Sequence, residues 1–569
     1  MDFLFSLNEE NRSTIRKQFK RRFIFSKGLD EIMFRTGLMI LTAPLSLTQA
    51  NVSNHLKYAS KLIKDTLYVH LQPYPGNIPV KDPSCRMFKF QTQPPSKEIQ
   101  KLIGTVYSQA AAICQNIDVR VLLGHIRNGE QPMEFKPHTL QTKSYDVVFT
   151  DISHSDKDSF KDVIKSGYDT LNDVNVETLE AVKATEGDTD ATKETESDIL
   201  PSYRHIVLGG TFDRIHYGHK MLLTDSCLLC QEEMTIGVTD GVMNAKKTLC
   251  ELMLPTNVRI QQLTELLLDL KPGLELNIVP ITDPFGPSIV VEDMNCIVVS
   301  QETLKGGDAV NKRRQEKGLS KLDVHVIDLL EDVHHGDDEE VKISSSSQRR
   351  RLLGTLLKPP KPYKSESGPY IIGLTGGIAT GKSSIAQRLE KLGAAIVDCD
   401  KLGHSAYTKG TEAFDSVVKE FGDDVVGEDG EINRKALGPK VFADKSKLEK
   451  LNAIVWPAIL KLAQAQIQQH HANGCHIVVL DAAVLLEAGW DSIVHEVWAT
   501  ILSQQEAVRR IVERNKLSEE QAIQRIQSQM VNEARVEQAN VVLCSQWEYQ
   551  VTQVQVEKAW ALLKERLNM

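Results

Sequence analysis

At 569 residues, with 41% hydrophobic and 25% charged side chains, the chain is long enough for three or four domains and too balanced for global disorder or a fibrous architecture. A net charge of −9 and a pI near 6.0 exclude a general nucleic-acid binder, which needs a basic face to release phosphate counterions, yet allow local basic clusters for small anions. Nine cysteines, odd in number and without repeated spacing, read as reduced thiols of a cytoplasmic protein, and no apolar run reaches the ~18–20 residues of a spanning helix.

Residues 1–32 form a basic tail in which Arg12, Arg16, Lys17, Lys20, Arg21 and Arg22 resemble an organelle-targeting segment, although Glu9 and Glu10 do not fit one. That composition adds peripheral mitochondrial association to the cytoplasmic reading, and Met33 could serve as a second start. Residues 33–171 offer strand-like runs at Thr66 to Leu71, Val119 to Leu123 and Tyr145 to Thr150 between helix-length segments, which predicts an α/β domain. It carries no phosphate loop, metal-ligand spacing or nucleophile constellation, so its expected role is docking of protein partners or regulation. Residues 172–202 lose aromatics and fill with Glu, Asp, Thr and Ala, the composition of a flexible acidic linker.

Residues 203–357 alternate apolar runs at Ile206 to Leu208, Thr235 to Val238, Leu276 to Val279, Ile297 to Val299 and Val324 to Ile327 with helical patterns, one of them carrying Ile260, Leu263, Leu266, Leu267 and Leu270 on one face. Cys227 and Cys230 fall in an apolar helical stretch with no second pair to complete a zinc site, and read as buried thiols. Alternation of this kind predicts a Rossmann-like parallel sheet with ligands at the carboxyl ends of its strands. At the end of the first strand stand Gly209, Gly210, Thr211 and Phe212, followed by His216 and His219, three residues apart where a helix should begin. Such spacing puts both rings on one side of the first turn, facing an anion that free helix N–H groups already favour. About 125 residues later, Lys342-Ile-Ser-Ser-Ser-Ser leads into three arginines. Ser344, Ser345 and Ser346 could cap a second helix and bind a triphosphate. Lys246, Lys247 and Arg314, the last placed after a Gly306-Gly307 turn, are further phosphate candidates.

Residues 358–369, rich in proline and serine, read as a short spacer. In residues 370–569 the strand Tyr370 to Leu374 precedes Gly376, Gly377, Ile378, Ala379, Thr380, Gly381, Lys382 and Ser383, a match to G-x-x-x-x-G-K-[ST], then Ser384 and a helix. Glycines let such a loop wrap the phosphates of ATP, the lysine reaches the β- and γ-phosphates, and the Ser383 hydroxyl can ligate Mg2+. Further strands are expected at Ala395 to Val397, Ile477 to Leu480 and Val497 to Thr500. Asp398, with Asp400 two residues on, ends the next strand, where a general base for a substrate hydroxyl would be needed. Arg514 and Arg525, in an arginine-rich helix pair, are lid candidates, whereas Arg509 and Arg510 read as solvated.

Gly-Gly-Thr-Phe-Asp-Arg-x-His-x-Gly-His with the later Ile-Ser-Ser-Ser resembles the phosphopantetheine adenylyltransferase branch of the HxGH nucleotidyltransferases. That resemblance implies adenylyl transfer from ATP to 4'-phosphopantetheine, with phosphate stabilisation by His216 and His219 and substrate-phosphate contact from Thr211 and one of Lys246 or Lys247. Relatives often carry Arg where Lys305 and Lys312 stand, so those two receive no role. The phosphate loop, Asp-Cys-Asp-Lys-Leu and Val484-Leu-Leu-Glu-Ala-Gly489 together resemble dephospho-coenzyme A kinase, which phosphorylates the ribose 3'-hydroxyl of dephospho-CoA; Trp456 precedes Pro457 where bacterial relatives commonly place His. In this order the two resemble the bifunctional coenzyme A synthases of animals. The nearest rival keeps both chemistries but acts on nicotinamide nucleotides, and a third reading is a nucleotide-sensing scaffold.

Overall fold

The computed structural model describes residues 33–73, 92–127, 145–151, 175–180, 198–336, 339–364, 368–442 and 444–569. The basic tail, Cys85 and most of the expected acidic linker lie outside them. The described residues form three five-stranded sheets.

The first sheet contains β1 (Phe34–Leu41), β2 (Ile63–Leu71), β3 (Asp118–Leu122), β4 (Val147–Thr150) and β5 (Asn175–Thr178) in the order β3-β2-β1-β4-β5, every pair parallel. Helices α1 (Leu45–Leu62) and α2 (Lys97–Ile113) make its crossovers. Strand β5 falls inside the stretch expected to be a flexible linker: its four residues, three of them polar, are held by β4 along an edge. At the crevice where the strand order reverses, a ligand would be expected. Here the Asp151 carboxylate accepts from the Thr42 and Ala43 N–H groups at 2.8–2.9 Å, so the chain supplies its own anion.

The second sheet is built from β6 (Tyr203–Gly210), β7 (Cys230–Thr239), β8 (Glu275–Ile281), β9 (Cys296–Ser300) and β10 (Asp323–Ile327), ordered β10-β9-β6-β7-β8. Its helices are α3 (Tyr217–Leu229), α4 (Thr256–Leu270), α5 (Leu304–Glu316) and α6 (Ser345–Leu352). All five strands predicted for this region are present. The Gly306-Gly307 pair lies within α5 instead of forming a turn, and Gly307 faces Val299 and Val324.

The third sheet, β12-β13-β11-β14-β15, is parallel throughout: β11 (Tyr370–Gly376), β12 (Ala395–Asp398), β13 (Ile477–Asp481), β14 (Glu496–Ile501) and β15 (Val541–Cys544). Around it stand α7 (Lys382–Lys391), α8 (Cys399–Ser405), α9 (Glu412–Phe421), α10 (Arg434–Phe442), α11 (Lys445–Ala472), α12 (Gln504–Asn515), α13 (Glu519–Gln527), α14 (Asn532–Gln538) and α15 (Tyr549–Leu567). Residues 358–364, expected as a spacer, are pinned: Asn540 Nδ2 donates to the Lys358 and Pro359 carbonyls, Lys361 N–H donates to His495 O, and Tyr363 meets Tyr370 edge-on.

By spatial grouping the chain forms two compact units. One joins residues before 207 to 220–233 and 265–275. Inside it, Lys220 is buried and donates to Asp118 and to Val119 O, while Arg120 bridges Asp118 and Asp269, each at 2.5 Å. Buried charges need such partners, since either one alone would carry its full desolvation cost. The other unit holds 207–219, 234–264 and 276–569, so the turns after β6 and β11 both belong to it. One of its apolar clusters combines Val536, Ala539, Val542 and Cys544 around the third sheet with Leu249, Leu252 and Leu353 from the region before.

Candidate active sites

The first site opens where β6 ends. Phe212 and Arg214 adopt left-handed backbone (φ 47° and 51°), a conformation that non-glycine residues hold only when surroundings enforce it. The Phe212 ring is buried, and Asp213, fully buried, fixes the turn: its Oδ1 accepts from Leu254 N–H (3.0 Å) and its Oδ2 from Arg349 Nη1 (2.7 Å). Helix α3 then begins with His216 just before it, and the imidazoles of His216 and His219 stack with centroids 3.8 Å apart. The His219 N–H donates to His216 Nδ1 at 3.3 Å. A Cβ on Gly218 would lie 3.2 Å from the His216 ring, so glycine leaves that ring its place. His219 has its Nδ1 closed off from solvent, and burial lowers its pKa to about 4, with Asp213 opposing and Lys247 assisting. It is therefore neutral at pH 7, able to donate one hydrogen bond without carrying charge.

The structure distinguishes the two lysines. Lys247 donates to the Thr211 hydroxyl, while Lys246 is exposed. Burial, Arg349 and Arg259 lower the Lys247 pKa. Ser344 caps α6 by accepting from Ser347 N–H (3.2 Å), and Ser345 Oγ donates to Asp213 O (2.9 Å), bringing the serine segment against the histidine turn. Arg349 Nε also donates to Thr248 O, so one guanidinium ties together the histidine turn, the lysine loop and the serine helix.

Arg314 must be removed from the phosphate candidates. It is fully buried, and its guanidinium donates to the carbonyls of Ser320, Ser288, Val291 and Glu292, closing the loop before β9. The sequence showed an arginine near a glycine pair; nothing in it showed that four carbonyls would surround the side chain.

In the second site, residues 376–383 link β11 to α7. Gly376 packs so closely on Thr500 and Thr380 that a Cβ would collide with both hydroxyls. Ala379 (φ 64°) and Gly381 (φ 83°) turn the loop back, and α7 starts at Lys382. Lys382 reaches Asp481 Oδ1 at 2.5 Å and Asp400 Oδ2 at 3.3 Å. Burial opposes its charge, but Asp481 and Asp400 overcome that and raise its pKa. Asp481, buried at the end of β13, is pushed up by burial and by its acidic neighbours, with Lys382 opposing. Sequence reading stopped that strand one residue short and missed this carboxylate.

Asp398 is turned to another task. It caps α8, accepting from Lys401 N–H (3.0 Å), and pairs with the Lys401 ammonium at 3.0 Å; these contacts outweigh burial and lower its pKa. Asp400, 60% exposed at its side chain, is the carboxylate that faces outward beside Lys382. Arg514 and Arg525 are exposed, and Arg514 Nε donates to its neighbour Asn515. The arginines at the loop are others: Arg510 Nη1 donates to Ala379 O (3.3 Å), and a Cβ on Gly377 would lie 3.3 Å from Arg535 Nη1. Gln529 Oε1 accepts from Ile378 N–H at 2.8 Å. Arg510 reads from sequence as a solvated helix residue; in the structure it pairs with Glu506 on its own helix and also reaches Ala379 O and Ser545, just past β15, contacts that local sequence does not show.

A strand, a left-handed turn and a helix start, built twice with different polar residues, define a two-site nucleotide-dependent transferase, a nucleotidyltransferase fold ahead of a P-loop kinase. Family models agree: one described as cytidylyltransferase-like matches residues 207–351, one for dephospho-CoA kinase matches 370–549, and one for the COASY N-terminal domain matches 35–168. Dephospho-CoA kinases of Geobacter sulfurreducens and Symbiobacterium thermophilum are each 40% identical to this chain, over 34% and 33% of its length and 97% and 80% of theirs. That of Carboxydothermus hydrogenoformans is 38% identical over 33% of the chain and 90% of its own length. With these three regions in one polypeptide, the chain belongs to the bifunctional coenzyme A synthase family.

Proposed function

We propose that this enzyme makes coenzyme A from 4'-phosphopantetheine in two ATP-dependent steps carried by separate sites. In the first, an oxygen of the 4'-phosphate attacks the α-phosphorus of ATP, the bond to the β-phosphate bridging oxygen breaks, and pyrophosphate leaves. Lys247 and Thr211 hold the attacking phosphate, neutral His219 and its stacked neighbour His216 donate to the phosphate oxygens that gain charge, and the start of α6 receives the triphosphate. Gly209, Gly210 and Phe212 shape the turn that admits the nucleotide. The observation that carries this reading is the convergence of Lys247, both histidines and the serine helix on the β6 turn.

In the second step the ribose 3'-hydroxyl of dephospho-CoA attacks the γ-phosphorus of a second ATP, and ADP leaves. Asp400 accepts the hydroxyl proton, Lys382 balances phosphate charge, and Arg510 and Arg535 border the loop that holds the phosphates. Ser383, exposed at the first turn of α7, and Asp481 at the neighbouring strand end form a hard-oxygen donor set that fits Mg2+. They would hold the ion, which supplies neutralisation of phosphate charge. Transient release of Lys382 from Asp481 by the incoming phosphate follows, since both compete for one ammonium.

Eight described cysteines are free, consistent with a reducing compartment, and we assign the enzyme to the cytoplasm with mitochondrial association through its N-terminal part. Among the described residues no helix is long and apolar enough to cross a membrane. Folded protein given phosphopantetheine, ATP and Mg2+ should release pyrophosphate and then coenzyme A, and should release no pyrophosphate with nicotinamide mononucleotide. Failure to form either expected product would reject the assignment.

A further inference from the structure

Both elements that close the first site are anchored, at their far ends, on the kinase region. The loop after β7 begins at the sheet, where Asn244 exchanges hydrogen bonds with Thr239 (2.8 and 2.9 Å), and carries Lys247 to Thr211. Two residues later Leu249 enters left-handed backbone (φ 54°), and Leu249 and Leu252 bury themselves, 7% and 3% exposed, in the apolar cluster that contains Val536 and Ala539. Between them Glu251 Oε1 accepts from Asn532 Nδ2 at 3.2 Å, and the same amide donates to Leu502 O at 2.9 Å. The serine helix α6 ends in the same way. Arg350 lies over the Trp547 ring (4.5 Å to its centre), Lys558 donates to Arg351 O (2.7 Å), and Gly354 N–H donates to Val542 O (2.9 Å).

Apart from that of Lys558, these kinase contacts come from two short stretches that also hold the loop after β11. Asn532 opens α14, the helix of Arg535, three residues after Gln529, which binds Ile378 N–H. Trp547 follows Ser545, whose hydroxyl donates to Thr380 O (2.8 Å) and accepts from Arg510 (2.8 Å). Close-packed interiors transmit displacement because side chains cannot yield independently. A shift in either stretch is thus passed to Lys247 through Glu251, and to the serine helix through Arg350.

We propose that Asn532 and Trp547, though they belong to the kinase region, are positioning residues for adenylyl transfer, acting through Glu251 and Arg350. The inference rests on the assignment of Lys247 to the substrate phosphate. It places part of the adenylyltransferase framework 281 residues downstream of Glu251. It also gives the fusion of the two enzymes a structural reason: the loop that binds one substrate is completed by the enzyme that consumes its product.

The test uses the full-length chain and follows pyrophosphate release as a function of phosphopantetheine concentration. Asn532→Asp sets a carboxylate against Glu251 and should raise KM for phosphopantetheine about tenfold, the order expected when a hydrogen bond becomes a like-charge contact. Adding Glu251→Gln to it restores a donor and an acceptor in reversed order, and should bring KM back to within about threefold of wild type. Trp547→Ala should lower kcat/KM about fivefold while Trp547→Phe, which keeps a ring under Arg350, should not. Should Asn532→Asp fail to fold, the tryptophan pair decides. Unchanged adenylyl kinetics in folded Asn532→Asp and Trp547→Ala would overturn the proposal, as would a double variant no better than the single one. Wild-type chain without any adenylyl transfer would instead refute the function proposed above.

Discussion

His219 sits with its Nδ1 sealed from solvent and its ring against His216, and burial holds its pKa near 4, whereas in an unfolded chain it would be near 6.5. Between those values the unfolded chain binds a proton that the native ring refuses. Stability should accordingly fall as pH drops from about 6.5 toward 4 and be indifferent to this group above 6.5. His219→Gln should shrink the difference between urea midpoints at pH 4.5 and pH 7, and the wild-type adenylyl rate should show no limb from this ring between pH 6 and 8. The second site separates its aspartates by task. Asp398→Asn, which still caps α8, should leave most kinase activity, whereas Asp400→Asn should reduce kcat by about a hundredfold or more if it takes the ribose proton. Phosphorylation of supplied dephospho-CoA measures both, and equal effects would return the base role to Asp398. Lys382→Ala should silence that kinase step while adenylyl transfer continues, because no contact of Lys382 reaches the first site.

At the scale of elements, the buried pair of Asp213 and Arg349 joins the turn after β6 to helix α6, two segments 136 residues apart. Removing one charge leaves the other desolvated, a penalty of about 3–5 kcal/mol. Asp213→Asn should lower the free energy of unfolding by that order and, by freeing α6, depress adenylyl transfer; chemical denaturation and pyrophosphate release report the two effects. The strand elements explain which parts of the fold could be read from sequence. Five runs of the second sheet were legible because each is a continuous apolar stretch flanked by helical periodicity. Strands β1, β15 and β5 were not, since each becomes a strand through the neighbour it pairs with.

For the whole molecule, one apolar cluster runs from Leu249 through Leu353 into the kinase sheet, so the loop after β7 and the end of α6 share a core with the kinase region. A fragment ending at residue 357 would expose Leu249, Leu252 and Leu353, now 7%, 3% and 2% accessible. Residues 203–357 alone should therefore be less soluble and bind more hydrophobic dye than residues 203–569 under the same conditions. Equal behaviour would show that the shared core contributes little. The expected spacer at 358–369 is not free: Lys358, Pro359 and Lys361 bond to Asn540 and His495 of the kinase region.

The amino-acid sequence by itself determined both glycine turns, because a turn between a strand and a helix start is a local construction whose residues adjoin in the chain. It also determined the pairing of chemistries, through His216 with His219 and Lys382 with Ser383. Only the tertiary structure decided which charged side chains lie against each turn. Lys247 rather than Lys246 meets Thr211, Asp400 rather than Asp398 pairs with Lys382, Arg510 rather than Arg514 reaches the loop at Ala379, and Arg314 is enclosed by carbonyls. Each of those outcomes depends on partners brought from distant segments, and a side chain's burial and hydrogen bonding are set by what folds around it.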